Sequence, residues 1–228
     1  MQLIFIHGSG GCKESWQYQT EQFKGSDAIN LPGHPDGKLC PTIEANVAWL
    51  RAYIQDKGYT DVVLAGHSLG GGIALQYALD FPEDLAGIIA VGSGGRLRVH
   101  PSFLEMLEKA VADPSLLENE GLTSFDLIEP GLAAVMKKRA TENTPASFLN
   151  DMKACDQFDV MDRLQTITMP VLAIVGDQDT MTPPKYASFM VDKIAGAKMV
   201  IIPGGTHMAY AEKPVAVNQA IDAFLKSL

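Results

Sequence analysis

With 228 residues, 46% of them hydrophobic and 20% charged, the chain is long enough to bury one large core and too apolar to be disordered. The formal net charge of −9, with Lys137-Lys138-Arg139 as the longest basic cluster, argues against a nucleic-acid partner, because nothing neutralises a run of phosphates. Cys12, Cys40 and Cys155 are an odd number without C-x-x-C spacing, so free thiols are expected rather than a disulfide framework or a zinc site.

Met1 to Ile6 is apolar but too short for a signal sequence or a membrane span and lacks a basic start, so a cytoplasmic chain is expected. Leu3 to Ile6 reads as a strand buried on both faces, ending in the flexible stretch His7-Gly8-Ser9-Gly10-Gly11. A short helix is expected over Trp16 to Phe23 and a brief strand over Asp27 to Asn30, stopped by the turn-rich Leu31-Pro32-Gly33-His34-Pro35-Asp36-Gly37. Thr42 can cap a helix whose apolar residues Ile43, Val47, Leu50 and Ile54 recur at helical spacing, with Gly58 as its stop.

The run Asp61-Val62-Val63-Leu64-Ala65 then leads through Gly66-His67-Ser68-Leu69-Gly70 into a helix carrying Ile73, Tyr77 and Phe81 and ending at Pro82. A serine forced into a strand-to-helix turn takes a strained backbone conformation that points its hydroxyl outward. Glycines at 66 and 70 let the two backbones approach at the bend. Leu85 to Val91 supplies another buried strand, and the alternation of strands and helices implies a mostly parallel sheet covered on both faces.

From about Gly94 to Thr168 the rhythm changes to helices alone: Phe103, Leu107 and Val111 share one stripe, and Leu132 to Arg139 and Ala146 to Cys155 read as further helices. This stretch is expected to be a helical cap, residues 94–168, inserted into a core domain formed by residues 1–93 and 169–228. Its methionines, Met106, Met136, Met152 and Met161, suit a core or an adaptable apolar pocket. The sheet resumes at Pro170 to Val175 and passes into Gly176-Asp177-Gln178-Asp179-Thr180. A helix opens at Pro183-Pro184 and runs to about Ile194, Lys198 to Ile202 is the last strand, and Pro203-Gly204-Gly205-Thr206-His207 follows it. A final amphipathic helix carries Val217, Ile221, Phe224, Leu225 and Leu228.

A serine hydroxyl needs a general base in contact, and the base needs a group that fixes its tautomer. Of the five histidines, His207 lies just past the last strand, at the same sheet edge as Ser68, and is the expected base. His67, adjacent to the nucleophile, points to the opposite side of the turn and is expected to be structural. Asp177 and Asp179 both follow the fifth strand and either can reach; Asp179 is preferred by its distance past the strand, with Asp177 capping the loop backbone. The amides of Leu69 and Ser9 are placed to hold an oxyanion, the first helped by the partial positive charge of a helix start.

These motifs, His7-Gly8 with its glycine loop, Leu31-Pro32-Gly33-His34, Gly66-His67-Ser68-Leu69-Gly70-Gly71, Gly176-Asp177-Gln178-Asp179 followed by Pro183, and the His207 loop, resemble the α/β-hydrolase superfamily over nearly the whole chain. The likeness is to its capped carboxylesterase, enol-lactonase and haloperoxidase-like members. It implies Ser68 as nucleophile, Asp179 as acid, His207 as base and an oxyanion hole from the Ser9 and Leu69 amides, with no cofactor or metal. The amino-terminal hairpin common in the family has no counterpart here, so about six strands are expected in place of about eight. Asn30 stands where an aspartate is frequent and Pro35 where a glycine is.

The function expected is cleavage of a small, largely apolar ester or lactone through an acyl-enzyme, by a monomer or homodimer without a membrane span or a nucleic-acid partner. The same residues also serve carbon–carbon bond hydrolases, acyltransferases and lyases, and some small-molecule receptors keep them. A dehalogenase would have an aspartate at position 68.

Overall fold

The computed structural model describes residues 1–118 and 125–228; residues 119–124, inside the expected cap, lie outside that description. The elements follow in the order β1 (Gln2–Ile6), a 3-10 turn over Lys13–Trp16, α1 (Gln17–Gln22), β2 (Asp27–Ile29), α2 (Ile43–Lys57), β3 (Val62–His67), α3 (Leu69–Asp80) and β4 (Leu85–Val91). Next come α4 (Pro101–Ala112), α5 (Ser115–Glu118), α6 (Pro130–Glu142), α7 (Pro145–Gln157) and a 3-10 turn over Met161–Thr166. The chain closes with β5 (Val171–Gly176), α8 (Pro184–Lys193), β6 (Lys198–Ile202), α9 (Ala209–Glu212) and α10 (Pro214–Leu225).

The six strands form one sheet in the order β2-β1-β3-β4-β5-β6, every pairing parallel, as the alternating apolar runs require. Burial on both faces explains those runs. Ile4 and Ile6 join one core cluster with Leu50, Leu64 and Ile73, while Leu3 and Phe5 join the other with Val63, Ile89 and Ile221. On α2 the expected stripe Ile43, Val47, Leu50 and Ile54 is buried throughout, Thr42 accepts the Ala45 amide at 3.2 Å, and Gly58 closes the helix at φ 66°. Fully burying Leu50 is worth about 1.5–3 kcal/mol by transfer alone.

Among the described residues of the helical stretch, Val111 departs from the expected stripe. Leu107 and Ala110 are the buried residues of α4, whereas Val111 is 45% exposed. The inward face therefore runs one position earlier than a strict i, i+4 series gives. The stretch also fuses with both cores: Ala154 and Cys155 of α7, with Phe158, belong to the cluster of Leu69 and Ile73, and Leu132 and Met136 of α6 to that of Phe5 and Trp16.

Strand order marks a topological switch point. The chain goes from β1 outward to β2, then returns across β1 to β3 and proceeds the other way, so the connections diverge at the carboxyl ends of β1 and β3. Open parallel sheets bind ligands at such a switch point. Ile6 pairs with Gly66, which brings His7-Gly8-Ser9 alongside His67-Ser68-Leu69.

Candidate active site

Ser68 sits between β3 and α3 at φ 51°, ψ −113°, a left-handed backbone that a residue with a Cβ tolerates only when its surroundings enforce it. Three groups enforce it. The Ser68 amide donates to Val91 O at 2.9 Å, and Ser68 O accepts from Gly71 N at 2.9 Å and from Ser93 Oγ at 2.8 Å. A Cβ at Gly66 would collide with the carbonyl of Gly70, which is why the bend needs a glycine there. Gly70 meets a different neighbour from the one its sequence position suggests: a Cβ on it would strike the Ile6 and His7 carbonyls at the end of β1.

The loops after β5 and β6 bring an acid and an imidazole together. Gln178 N donates to Gly205 O at 2.9 Å and Gly204 N to Asp177 Oδ1 at 2.8 Å, so Asp177 serves the loop backbone. Asp179 is buried at 3% exposure, and its Oδ2 lies 2.9 Å from His207 Nδ1. Its Oδ1 accepts the amides of Met181 at 2.9 Å and Thr182 at 2.8 Å. Burial works to raise this carboxyl, but hydrogen bonds and the charge interaction with His207, joined by the Thr182 bonds, outweigh it and hold it below the usual aspartate range. An ionised Asp179 can only accept, so the proton between the two side chains sits on Nδ1 of His207. Among the described residues no hydrogen bond joins Ser68 Oγ to His207.

His67 backs this pair. Its Nε2 donates to His207 O at 2.9 Å, and its ring lies 4.6 Å from that of His207 and 4.7 Å from that of Tyr210. Tyr210 in turn packs at a tilt against Trp16, ring centres 4.2 Å apart, and Trp16 stacks on Phe5 at 4.9 Å. Burial, then the neighbouring His207, pushes the His67 imidazole well below its ordinary value, so it stays neutral. Thr206 bonds the carboxylate of Glu212 through its amide, at 2.8 Å, and its hydroxyl, which anchors the residue before His207.

In the loop after β1, Gly11 N donates to Gly8 O at 3.0 Å and Gly10 N to Asp151 Oδ2 at 2.9 Å, so both of these amides are committed. His7 Nδ1 donates to Gly8 O at 2.8 Å while Nε2 accepts the Leu31 amide at 3.0 Å. Burial and the nearby His34 lower the His7 imidazole to about 4, which keeps it in this neutral tautomer. A Cβ on Gly8 would stand 3.2 Å from the Cβ of Ser68, so the loop after β1 runs directly beside the serine. Asn30, at its unusual position, accepts the Lys13 amide at 2.8 Å.

Sequence reasoning missed Thr182, whose hydroxyl donates to Asp179 Oδ2 at 2.8 Å and lies 3.2 Å from His207 Nδ1. The signal was present in the Asp-x-x-Thr spacing, because an aspartate commonly bonds the backbone two and three residues on. Asn143 and Asp151, which reach the glycine loop from α6 and α7, gave no local signal.

A family model described as "Alpha/beta hydrolase family" matches residues 3–220. Protein ABHD8 of Homo sapiens is 25% identical over an alignment covering 98% of this chain and 54% of that protein, so the chain spans about half its length. Pimeloyl-acyl-carrier-protein methyl ester esterase of Neisseria meningitidis serogroup A is 24% identical over 91% of this chain and 71% of that protein. A thermophilic esterase from Thermogutta terrifontis, solved with malate bound, has the same fold with a TM-score of 0.86 at 24% identity, covering 100% of this chain and 90% of that one. By the match to the family model, the chain belongs to the α/β hydrolase family.

Proposed function

We propose that this member of the α/β hydrolase family is a serine hydrolase that cleaves a small, largely apolar carboxylic ester or lactone through an acyl-enzyme. The observation that carries the reading is the strained backbone of Ser68, φ 51°, at the carboxyl end of β3, on the sheet edge that also holds the His207–Asp179 pair. A fold retains such strain where an exposed hydroxyl is useful. The esterase names among the relatives support the same chemistry.

In this reading Ser68 Oγ attacks the acyl carbon while His207 Nε2 takes its proton. Asp179 holds Nδ1–H and stabilises the imidazolium. The carbonyl oxygen gains the electron pair and is held by the Ser9 and Leu69 amides. Collapse of the tetrahedral intermediate breaks the bond to the alkoxy oxygen, which leaves with the proton from Nε2. Water, deprotonated by the same nitrogen, then releases the acid and restores Ser68. The hydrogen bond from Ser68 to His207 forms as substrate docks, since catalytic bonds tighten in the complex. Residues 94–168 act as a cap over this edge, and Phe148, whose ring packs on Gly10, places apolar surface beside the oxyanion loop.

Hydrolysis of short-chain p-nitrophenyl esters by the protein and by Ser68→Ala tests the proposal. Turnover is expected to drop by at least about a thousandfold. Undiminished turnover refutes it.

A further inference from the structure

The glycine loop after β1 is held from the helical stretch by two buried side chains that the catalytic reading does not use. Asn143, at the end of α6, places its Nδ2 2.9 Å from both Gly10 O and Gly11 O. Asp151, on α7, accepts the Gly10 amide at 2.9 Å and His34 Nε2 at 2.8 Å, both through Oδ2. Asn143 is 6% and Asp151 2% exposed, so neither is a solvated face residue.

Peptide geometry carries these contacts to the Ser9 amide. A trans peptide is planar, with its N–H opposite its C=O, so fixing one end of the unit aims the other. Asn143 fixes the carbonyl of the Gly10–Gly11 unit, and the amide of that unit, Gly11 N–H, donates to Gly8 O at 3.0 Å. Gly8 O belongs to the same planar unit as Ser9 N–H, which must therefore point the opposite way. Asp151 fixes the intervening Ser9–Gly10 unit by its amide. It also consumes the neighbouring donor, so Gly10 N–H cannot compete with Ser9 N–H for an incoming oxygen. His34, brought by the Leu-Pro-Gly-His loop, donates to the same carboxylate oxygen and locks the rotamer of Asp151.

We infer that Asn143 and Asp151 are positioning residues that aim the Ser9 amide at the oxyanion, so that the helical stretch completes the catalytic hole as well as covering it. This rests on the serine-hydrolase reading above. Neither side chain touches the reacting atoms; each acts through the loop backbone.

The test compares the protein with Asn143→Ala, Asn143→Asp, Asp151→Ala, Asp151→Asn and Ser68→Ala in p-nitrophenyl butyrate hydrolysis, with circular-dichroism melting as the fold control. N143A and D151A are expected to lower kcat about 10- to 100-fold with KM changed less than about threefold, because a misaimed donor weakens the transition state more than the ground state. D151N keeps an acceptor oxygen and is expected to stay within about threefold of the parent. N143D is isosteric but faces two carbonyls with an acceptor, and is expected to lose at least as much as N143A. A role in packing alone would make N143D the milder change. Amide hydrogen exchange at Gly10 and Gly11, read without substrate, is expected to speed up at least about tenfold in N143A. If D151A does not fold, the two Asn143 variants decide. Folded N143A with kcat within about twofold of the parent, or with unchanged exchange, overturns the inference. An inactive parent indistinguishable from S68A overturns the hydrolase reading instead.

Discussion

Thr182 donates its hydroxyl hydrogen to Asp179 Oδ2 at 2.8 Å, the same oxygen that receives His207 Nδ1 at 2.9 Å. With two backbone amides on Oδ1, the carboxylate is held through both oxygens, and Thr182 supplies two of the four contacts.

Thr182→Val removes a charge-assisted bond inside a buried site, which costs about 1.5–3 kcal/mol of stability. Because the native Asp179 carboxyl lies below its unfolded value, its contribution is present above the unfolded pKa and lost as pH falls through the native one. Urea melts at pH 7 and pH 3 are expected to show a larger T182V deficit at pH 7 than at pH 3. Thr182→Ser, which keeps the hydroxyl, is expected to recover most of it.

The buried histidines set a second pH response. His7 falls from an ordinary value of 6.5 to about 4 on burial, so the unfolded chain binds the proton between those values and the native chain does not. Stability from this group declines as pH drops through that window, by about 3 kcal/mol in total. His34 acts with the opposite sign. Although burial opposes it, the bond to Asp151 raises this imidazole, so its contribution is full below the unfolded pKa and fades as pH rises through the native one. Unfolding free energies of the parent and His7→Gln between pH 4 and 7 are expected to show a shallower loss toward acid in the variant.

Strain at residue 68 predicts an inverted ranking of two variants at that position. Glycine adopts the φ 51° backbone without a Cβ penalty, which relieves about 1–3 kcal/mol, against about 0.5–1 kcal/mol of added unfolded-state entropy. Ser68→Gly is therefore expected to melt above Ser68→Ala, the reverse of the order at an ordinary helix or strand position.

Thiol reactivity follows burial. Cys155 is raised to about 12 and Cys12 to about 11, chiefly by desolvation, and both are buried, whereas Cys40 is only partly so. Iodoacetamide at pH 8 on the native protein is expected to alkylate Cys40 first, as read by peptide mass spectrometry.

What was legible in the sequence was whatever local pattern encodes. The strand runs at Leu3, Val62, Leu85, Val171 and Lys198, the capped helix after Thr42 and the turn at Ser68 each carry their signal within a dozen residues, and the structure has them in place. Topology then put Asp179 and His207 at one edge, because loops that follow parallel strands share it. The clamp on the glycine loop was not legible. Asn143 and Gly10 are separated by 133 residues, and nothing in the helical spacing of α6 or α7 distinguishes a buried polar side chain aimed at another loop from one capping its own helix. Val111 failed for a related reason, since α4 packs chiefly on α7 and its inward face is set by that partner.

A nucleophilic Ser68 would react covalently with an electrophile that mimics an ester. Incubating the protein with a fluorophosphonate probe and mapping the adduct by tandem mass spectrometry tests that role most directly. One phosphonyl group is expected on Ser68, with fluoride released, and no labelling of Ser68→Ala or of heat-denatured protein. A native chain that stays unlabelled, or S68A that labels as readily as the parent, contradicts that role.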